Sequence, residues 1–194
     1  MVGTRLTELL VQKGYAVTIL SRGKQQATQL NVHFATWNVE EGTIDMDAVA
    51  AADHIIHLAG ANVAEKRWTA QRKKEILESR TRSSALLVKA LKQTGNTVST
   101  VVSASAIGWY GKDTAVSRQQ GFTEDAPADP GFLGETCRLW EASIEPVTGL
   151  GKRLVRLRTG IVLSIKGGAL QEFKKPLRFG IAAILGNGRQ VISW

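Results

Sequence analysis

Hydrophobic and polar residues follow two periods along the chain, one typical of helices and one typical of strands. Leu6, Leu9 and Leu10 share one helical face, and Lys13-Gly14 follows them as a helix stop signal. The apolar run 16–20 then predicts a short buried strand, and residues 32–35 predict a weaker one. The chain therefore opens on a helix that precedes two strands.

The same alternation continues through the rest of the chain. Strand patterns occur over 54–58, 98–103 and 154–157, and helical patterns over 69–93 and 132–144. Short strands separated by helices predict parallel pairing through right-handed crossovers. The fold class predicted is therefore α/β, with a doubly wound, Rossmann-like parallel sheet.

Both ends of this pattern are unusual for such a fold. A doubly wound domain normally opens with a strand and a glycine-rich turn, whereas here Gly3 stands where the last glycine of that turn would fall. The other end, Gly186–Trp194, stops in what is predicted to be the start of a strand. We therefore expect the first strand of the sheet to be missing and the C-terminal part to be cut short.

Composition excludes several classes of protein. No apolar run approaches the roughly 20 residues that span a bilayer, and residues 1–10 lack the pattern of a signal peptide. One cysteine, Cys137, excludes an internal disulfide and fits a reducing cytoplasm, where we expect the protein to reside. His33, His54 and His57 have no partners at ligand spacing, so no metal site is predicted.

The net charge of +8 calls for an anionic partner. Either nucleic acid or a small molecule with a phosphate would satisfy it. The densest basic cluster, Arg72-Lys73-Lys74, lies in a helical segment and is predicted to be a solvated helix face. Because no nucleic-acid motif is present, a small-molecule partner is favoured over nucleic acid, and no membrane partner is expected.

Eight segments, in order along nearly the whole chain, carry a family resemblance. They are Gly14–Arg22, His57–Asn62, Lys66–Thr69, Glu78–Arg80, Ser103–Gly111, Trp140–Glu141, Leu157–Leu163 and Gly186–Gln190. The ordered set resembles the extended short-chain dehydrogenase/reductase family, in its atypical branch of nucleoside-diphosphate-sugar epimerases. The resemblance implies that residues 1–165 form an incomplete NAD(P)-binding domain and that residues 166–194 begin the substrate-binding portion.

The resemblance also implies a set of cofactor-binding residues near the ends of the strands. An arginine after the second strand of this fold can pair with the 2′-phosphate of NADP, whereas an acidic residue there would bind the 2′-hydroxyl of NAD. Ser21 and Arg22 stand at that point without an acid, so NADP is favoured over NAD. The cofactor-binding residues expected are Gly3, Ser21, Arg22, Leu58, Ala59, Gly60, Arg80, Arg158 and Thr159.

By the same resemblance, Ser105 would hydrogen-bond a substrate carbonyl or hydroxyl, with Tyr110 as a second candidate catalytic residue. Trp109 would form an aromatic wall, and Arg189 would bind the diphosphate of a sugar nucleotide. Both segments also have a simpler interpretation. The first could be a packed loop with buried aromatic residues, and Gly186-Asn187-Gly188 could be only a turn.

One departure from the family pattern concerns the general base. Well-studied members use a tyrosine followed four residues later by a lysine, but residues 132–138 contain neither. Tyr110 with Arg138 is one conceivable replacement. The leading hypothesis is an NADP-dependent oxidoreductase or epimerase acting on a sugar nucleotide or another small carbonyl or hydroxyl compound.

The missing pair favours an alternative, a non-catalytic dinucleotide-binding module. With only Gly3 left of the glycine turn, we expect weak NADP binding by this chain alone. The strand edges left open would allow a homodimer.

Overall fold

The computed structural model describes residues 2–23, 29–177, 179–181 and 193. The helices in this part of the chain are α1 (Val2–Gln12), α2 (Met46–Ala50), α3 (Ala70–Gln93), α4 (Ala115–Gln120), α5 (Phe132–Ile144) and α6 (Ala169–Leu177). The strands are β1 (Val17–Ser21), β2 (Val32–Asn38), β3 (Thr43–Ile44), β4 (His54–His57), β5 (Thr100–Ala106), β6 (Arg153–Thr159), β7 (Leu163–Ser164) and β8 (Gly167–Gly168). Short 3-10 turns follow β5 and α5, at Ile107–Tyr110 and Glu145–Leu150.

The long helix α3 forms where the sequence pattern predicts it. Thr69 is its N-cap, and the Thr69 hydroxyl accepts a hydrogen bond from the backbone N–H of Arg72 at 3.2 Å. Ile76, Leu87 and Leu91 lie on its buried stripe, as the helical period requires. The helices predicted over 69–93 and 132–144 are thus both confirmed.

The strands form two main sheets. In the first, β1 pairs in parallel with β2, and the short β3 pairs antiparallel to β2. In the second, β4, β5 and β6 are all parallel, in that order. The α/β fold class with parallel pairing is confirmed, but no strand among the described residues lies between β1 and β4, so the sheet is divided there.

One hydrophobic core joins the two sheets. Helices α3 and α5 pack on one face of the second sheet, burying Leu87, Val101 and Ile144. Val49 of α2 packs into the same cluster, with Ile44 of β3 beside it. Each such side chain contributes about 1.5–3 kcal/mol by leaving water, so this core is what holds β1–β3 against the second sheet.

Helix α1 begins beside the end of β4, since a Cβ added at Gly3 would lie 4.0 Å from Leu58 Cδ1. The chain then turns at residues 13–16 and enters β1, which contacts the helix.

The C-terminal part of the described chain is a small hairpin followed by α6. The predicted domain boundary at residue 165 lies in the turn between β7 and β8, and the division into two domains stays a prediction. Across the residues described, no helix is long and apolar enough to cross a membrane. Within the same residues, no cluster of His, Cys, Asp and Glu could hold a metal ion.

His57, the last residue of β4, is buried and neutral. Its Nε2 lies 3.2 Å from the Ser83 hydroxyl and 3.3 Å from the Ser84 hydroxyl, both on α3. The Trp37 ring meets the imidazole edge-on, with the ring centroids 6.1 Å apart. Burial lowers the pKa of His57 to about 4, because no carboxylate in the described structure compensates a charged imidazole there.

We predict that the free energy of unfolding falls as the pH drops from about 6.5 to about 4. Because the pKa of His57 is lower in the folded state, the unfolded chain takes up the proton first, and stability is complete only above the unfolded pKa. The loss between pH 7 and pH 4.5 should be about 2–3 kcal/mol from this residue.

Urea unfolding at the two pH values would measure this loss. His57→Gln should remove it, whereas His33→Gln, at an exposed position of β2, should leave it intact. An identical pH dependence in wild type and His57→Gln would contradict the assignment.

Candidate functional site

The predicted site residues cluster at the carboxyl ends of the parallel strands. Ser21 and Arg22 end β1, Leu58–Gly60 follow β4, and Thr159 ends β6. Strand β5 leads into the 3-10 turn that carries Trp109 and Tyr110. Open α/β sheets bind ligands at this edge, so the candidates that follow β4, β5 and β6 lie where a ligand site is expected.

A buried ion pair lies beneath this edge, between β6 and α5. Arg158 binds Glu141 through two hydrogen bonds, Nε to Oε1 at 2.9 Å and Nη2 to Oε2 at 3.0 Å. Their side chains are only 15% and 5% exposed. Ser105 of β5 donates to the same carboxylate, from its hydroxyl to Oε1 at 2.6 Å.

This pairing shifts the protonation equilibria of both partners. Burial alone would raise the pKa of Glu141, but the hydrogen bonds from Arg158 and Ser105 outweigh it and hold that pKa below its usual range. The hydrogen bond with Glu141, above all, raises the pKa of Arg158. Both groups therefore stay charged, and the pair is a fixed structural dipole near neutral pH.

Arg158 also organises the aromatic residues of the turn after β5. Its guanidinium carbon lies 3.7 Å from the centroid of the Trp109 ring. Nη1 donates to the Tyr110 hydroxyl at 3.1 Å and to the Glu124 carbonyl at 2.8 Å. The conceivable pairing of Tyr110 with Arg138 is not formed, because Tyr110 binds Arg158 and Arg138 on α5 binds Glu135, at 2.7 Å.

The loop that follows is tied to the same aromatic residues. Trp109 Nε1 donates to the Ala126 carbonyl at 2.8 Å, and the Tyr110 ring stacks on Phe122 at 4.8 Å. Trp109 is therefore half-buried, with its ring packed against the Arg158 guanidinium. Its predicted role as a wall for substrate stays a prediction.

Ser105 faces the helices and not the open edge. Alternate residues of β5 are buried against α3 and α5, and Ser105 is one of them, with 2% of its surface exposed. Thr159 of β6 donates to the Ser105 carbonyl at 3.1 Å, which ties the two strand ends together. A substrate contact by Ser105 stays a prediction, and donation to a substrate carbonyl would require the hydroxyl proton to leave Glu141.

The prediction that Arg72-Lys73-Lys74 form a solvated helix face is wrong for Arg72, which is buried. Its side chain is 5% exposed and lies between Glu65 at 3.0 Å and Glu75 at 2.7 Å, and it also donates to the Asn62 carbonyl. The prediction failed because helical periodicity does not show that the loop after β4 folds back over the first turn of α3. Arg72 therefore anchors that loop rather than meeting solvent.

Arg80 lies on α3, about two helical turns after Arg72. Its side chain packs between α3 and α5. Its Nη1 donates to the carbonyls of Ala61 at 3.1 Å and Ile76 at 2.8 Å. The guanidinium carbon lies 4.9 Å from the centroid of the Trp140 ring. A Cβ at Gly60 would come within 3.0 Å of the same carbon, so the absence of a side chain at Gly60 lets the arginine reach the end of β4.

Comparisons with known proteins agree with this architecture. The sequence profile described as the NAD dependent epimerase/dehydratase family matches residues 1–132. The chain belongs to this family.

Similar proteins extend the match over the whole chain. An epimerase family protein of Mycobacterium bovis is 35% identical over 196 residues, covering all of this chain and 61% of the relative. Among solved structures, the human epimerase family protein SDR39U1, crystallised with NADPH, is 28% identical with a TM-score of 0.79, and this chain covers 62% of it. A nucleoside-diphosphate sugar epimerase from Corynebacterium glutamicum is 30% identical with a TM-score of 0.80, over all of this chain and 38% of that one.

The chain spans about three fifths of the length of the curated relatives it matches. The resemblance to epimerases of the extended short-chain dehydrogenase/reductase type is thus confirmed. Within this epimerase/dehydratase family member, Arg189 and its glycine turn lie outside the described residues. Helix α5 carries neither tyrosine nor lysine, and burial raises the pKa of its Cys137 thiol, which leaves that thiol in its uncharged form.

Glu141 is the functional candidate that sequence reasoning missed, although its segment was part of the family resemblance. A signal was present, because Glu141 shares a helical face with Cys137, Trp140 and Ile144, all of which are buried. An acid inside an apolar stripe needs a buried partner. The sequence does not show which arginine supplies that partner.

We predict that Glu141→Gln lowers the free energy of unfolding by about 3 kcal/mol, because it leaves the Arg158 charge largely buried without a counter-ion. The double variant Glu141→Gln/Arg158→Met should lose less than the sum of the two single variants. Urea unfolding of the four proteins measures this coupling.

The matched control is Glu135→Gln, which breaks the exposed pair with Arg138 on the same helix. That change should cost about 1 kcal/mol or less. Equal losses for Glu135→Gln and Glu141→Gln would show that burial does not set the strength of the inner pair.

Proposed function

We propose that this chain forms the cofactor-binding part of an NADP-dependent oxidoreductase or epimerase whose substrate is a sugar nucleotide or a similar small carbonyl or hydroxyl compound. The observation that carries the proposal is that Gly60, Tyr110 and Thr159 stand at or after the carboxyl ends of the paired parallel strands β4, β5 and β6, while Arg22 follows β1. The human relative solved with NADPH and the relative named as a nucleoside-diphosphate sugar epimerase support it.

The residues at the edge fit a nicotinamide dinucleotide in their chemistry. Arg22 is exposed at the end of β1, and the Ser21 hydroxyl beside it donates to the Gly23 carbonyl at 2.7 Å. A guanidinium there suits the 2′-phosphate of NADP. The backbone of Ala59 and Gly60 is partly open to solvent, which permits close approach of a ligand.

When bound, the dinucleotide supplies the hydride chemistry. The chain would then need a group that moves a proton, and Tyr110 is the best candidate. Its hydroxyl accepts a hydrogen bond from Arg158, so its own proton is directed away from the arginine. Tyr110 could therefore donate a proton, at the phenolic oxygen, to a substrate held at this edge.

A non-catalytic dinucleotide-binding module is the second candidate. Two observations favour it, the absence of the tyrosine and lysine pair from α5 and the use of the Ser105 hydroxyl by Glu141. Such a module would bind the cofactor without turning over a substrate.

The first test of the proposed function concerns cofactor choice. NADPH should be titrated by calorimetry against this chain and against a version in which an added strand and glycine-rich turn precede Gly3. We expect weak binding by the former and clear binding by the latter, since that turn holds the pyrophosphate. Arg22→Glu in the extended version should shift preference from NADPH toward NADH by about tenfold or more.

Arg82→Glu is the control, because Arg82 is exposed on α3 and lies away from the strand ends. An unchanged NADPH to NADH ratio in Arg22→Glu would remove Arg22 from the cofactor site. Binding by neither version would contradict the cofactor proposal as a whole.

The second test of the proposed function separates the two candidate functions. NADPH oxidation by the extended version should be followed with a panel of nucleoside-diphosphate sugars and small carbonyl compounds. For any compound that reacts, Tyr110→Phe should lower kcat by about 100-fold or more with a smaller change in KM.

Tyr15→Phe provides the control, since Tyr15 and Tyr110 are the two tyrosines of the chain and Tyr15 is exposed beyond α1. Full activity in Tyr110→Phe would exclude this residue as the proton donor. Absence of turnover with every compound, despite tight NADPH binding, would favour the non-catalytic module.

A further inference from the structure

Three arginines are withdrawn from solvent in the described structure, and two of them are neutralised. Arg72 lies between Glu65 and Glu75, and Arg158 binds Glu141. Arg80, by contrast, has no carboxylate within 4.0 Å among the described residues. A half-buried cation without an anion is costly unless a ligand completes it.

The guanidinium of Arg80 is held in place by one of its nitrogens. Nη1 uses both of its described hydrogen bonds on the carbonyls of Ala61 and Ile76, while the Trp140 ring packs against the plane. Nε and Nη2 donate to no described residue, and neither is sealed away from solvent. Two N–H groups on one rigid fork thus stay available to an acceptor.

The surroundings of Arg80 offer no compensating charge. Burial lowers the pKa of Arg80, and the like charge of Arg72 acts in the same direction. Glu141, the buried acid of α5, is taken by Arg158 and Ser105. The arginine is therefore preorganised for an anion that the described chain does not supply.

We infer that Arg80 is an oxyanion-binding residue that receives a phosphate or carboxylate group through Nε and Nη2 in a bidentate manner. Its place beside Gly60, at the carboxyl end of β4, puts this anion at the ligand-binding edge. The anion site stands independently of the proposed function. Its assignment to a substrate or to the cofactor pyrophosphate rests on that function.

Titration of this chain with inorganic pyrophosphate, at constant ionic strength set by chloride, tests the site. Thermal unfolding should show a saturable rise in Tm for wild type. Arg80→Met should weaken the apparent affinity by at least tenfold, and Arg80→Lys, which keeps the charge and loses the fork, should fall between the two. Arg82→Met, two residues along α3 and exposed, should match wild type.

Absence of a saturable effect in wild type, or an unchanged affinity in Arg80→Met, would overturn the inference. If Arg80→Met does not fold, Arg80→Lys decides, because full affinity there would exclude the bidentate fork. Competition between pyrophosphate and NADPH in the extended version would assign the anion to the cofactor, whereas simultaneous binding would assign it to a substrate. Pyrophosphate binding through Arg80 without any NADPH binding would keep the site and remove the proposed function.

Discussion

The packing of α3 is the constraint on which the rest of the structure depends. No hydrogen bond of the described strands joins the sheet of β1–β3 to that of β4–β6, so the two are held together by apolar contacts of Leu87, Leu91 and their neighbours with Val49 and Ile44. Hydrophobic packing is not directional, but a close-packed helix has one register. Once α3 is seated, its polar residues are placed as well. Ser83 and Ser84 meet His57, and Arg72 and Arg80 reach the loop after β4.

Charge at the candidate site follows from that placement. Two largely buried cations lie beneath the ligand-binding edge, Arg80 on α3 and Arg158 on β6. The acid Glu141 lies on α5 and pairs with Arg158. Glu141 can neutralise only one of them, and its two oxygens are both bound to Arg158. Because Glu141 pairs with Arg158, the charge of Arg80 is left without a carboxylate partner among the described residues. A positive charge at this place favours a ligand that bears phosphate.

Local patterns predicted much of this fold and little of the site. The helices over 69–93 and 132–144 agree with α3 and α5 because their signals, a capping threonine and an apolar stripe, act within a few turns. The partners of Arg158 could not be predicted, since Arg158 binds Glu141 17 residues away and Tyr110 48 residues away. Side-chain pairing over such distances depends on which strands are neighbours and on which face each residue lies. The sequence pattern of β5 correctly indicated a strand, yet it did not reveal that Ser105 faces the helices.

The orientation of Ser105 bears on whether this edge can perform chemistry. A serine that donates at 2.6 Å to a charged carboxylate already has a strong acceptor for its proton. Its hydroxyl could donate to a substrate only at the expense of a buried, charge-assisted hydrogen bond. Tyr110 is in the opposite situation, because it accepts from Arg158 and keeps its proton for another partner. Proton transfer at this edge, if the protein is an enzyme, would therefore depend on the aromatic turn after β5, with α5 supplying the carboxylate that fixes Arg158.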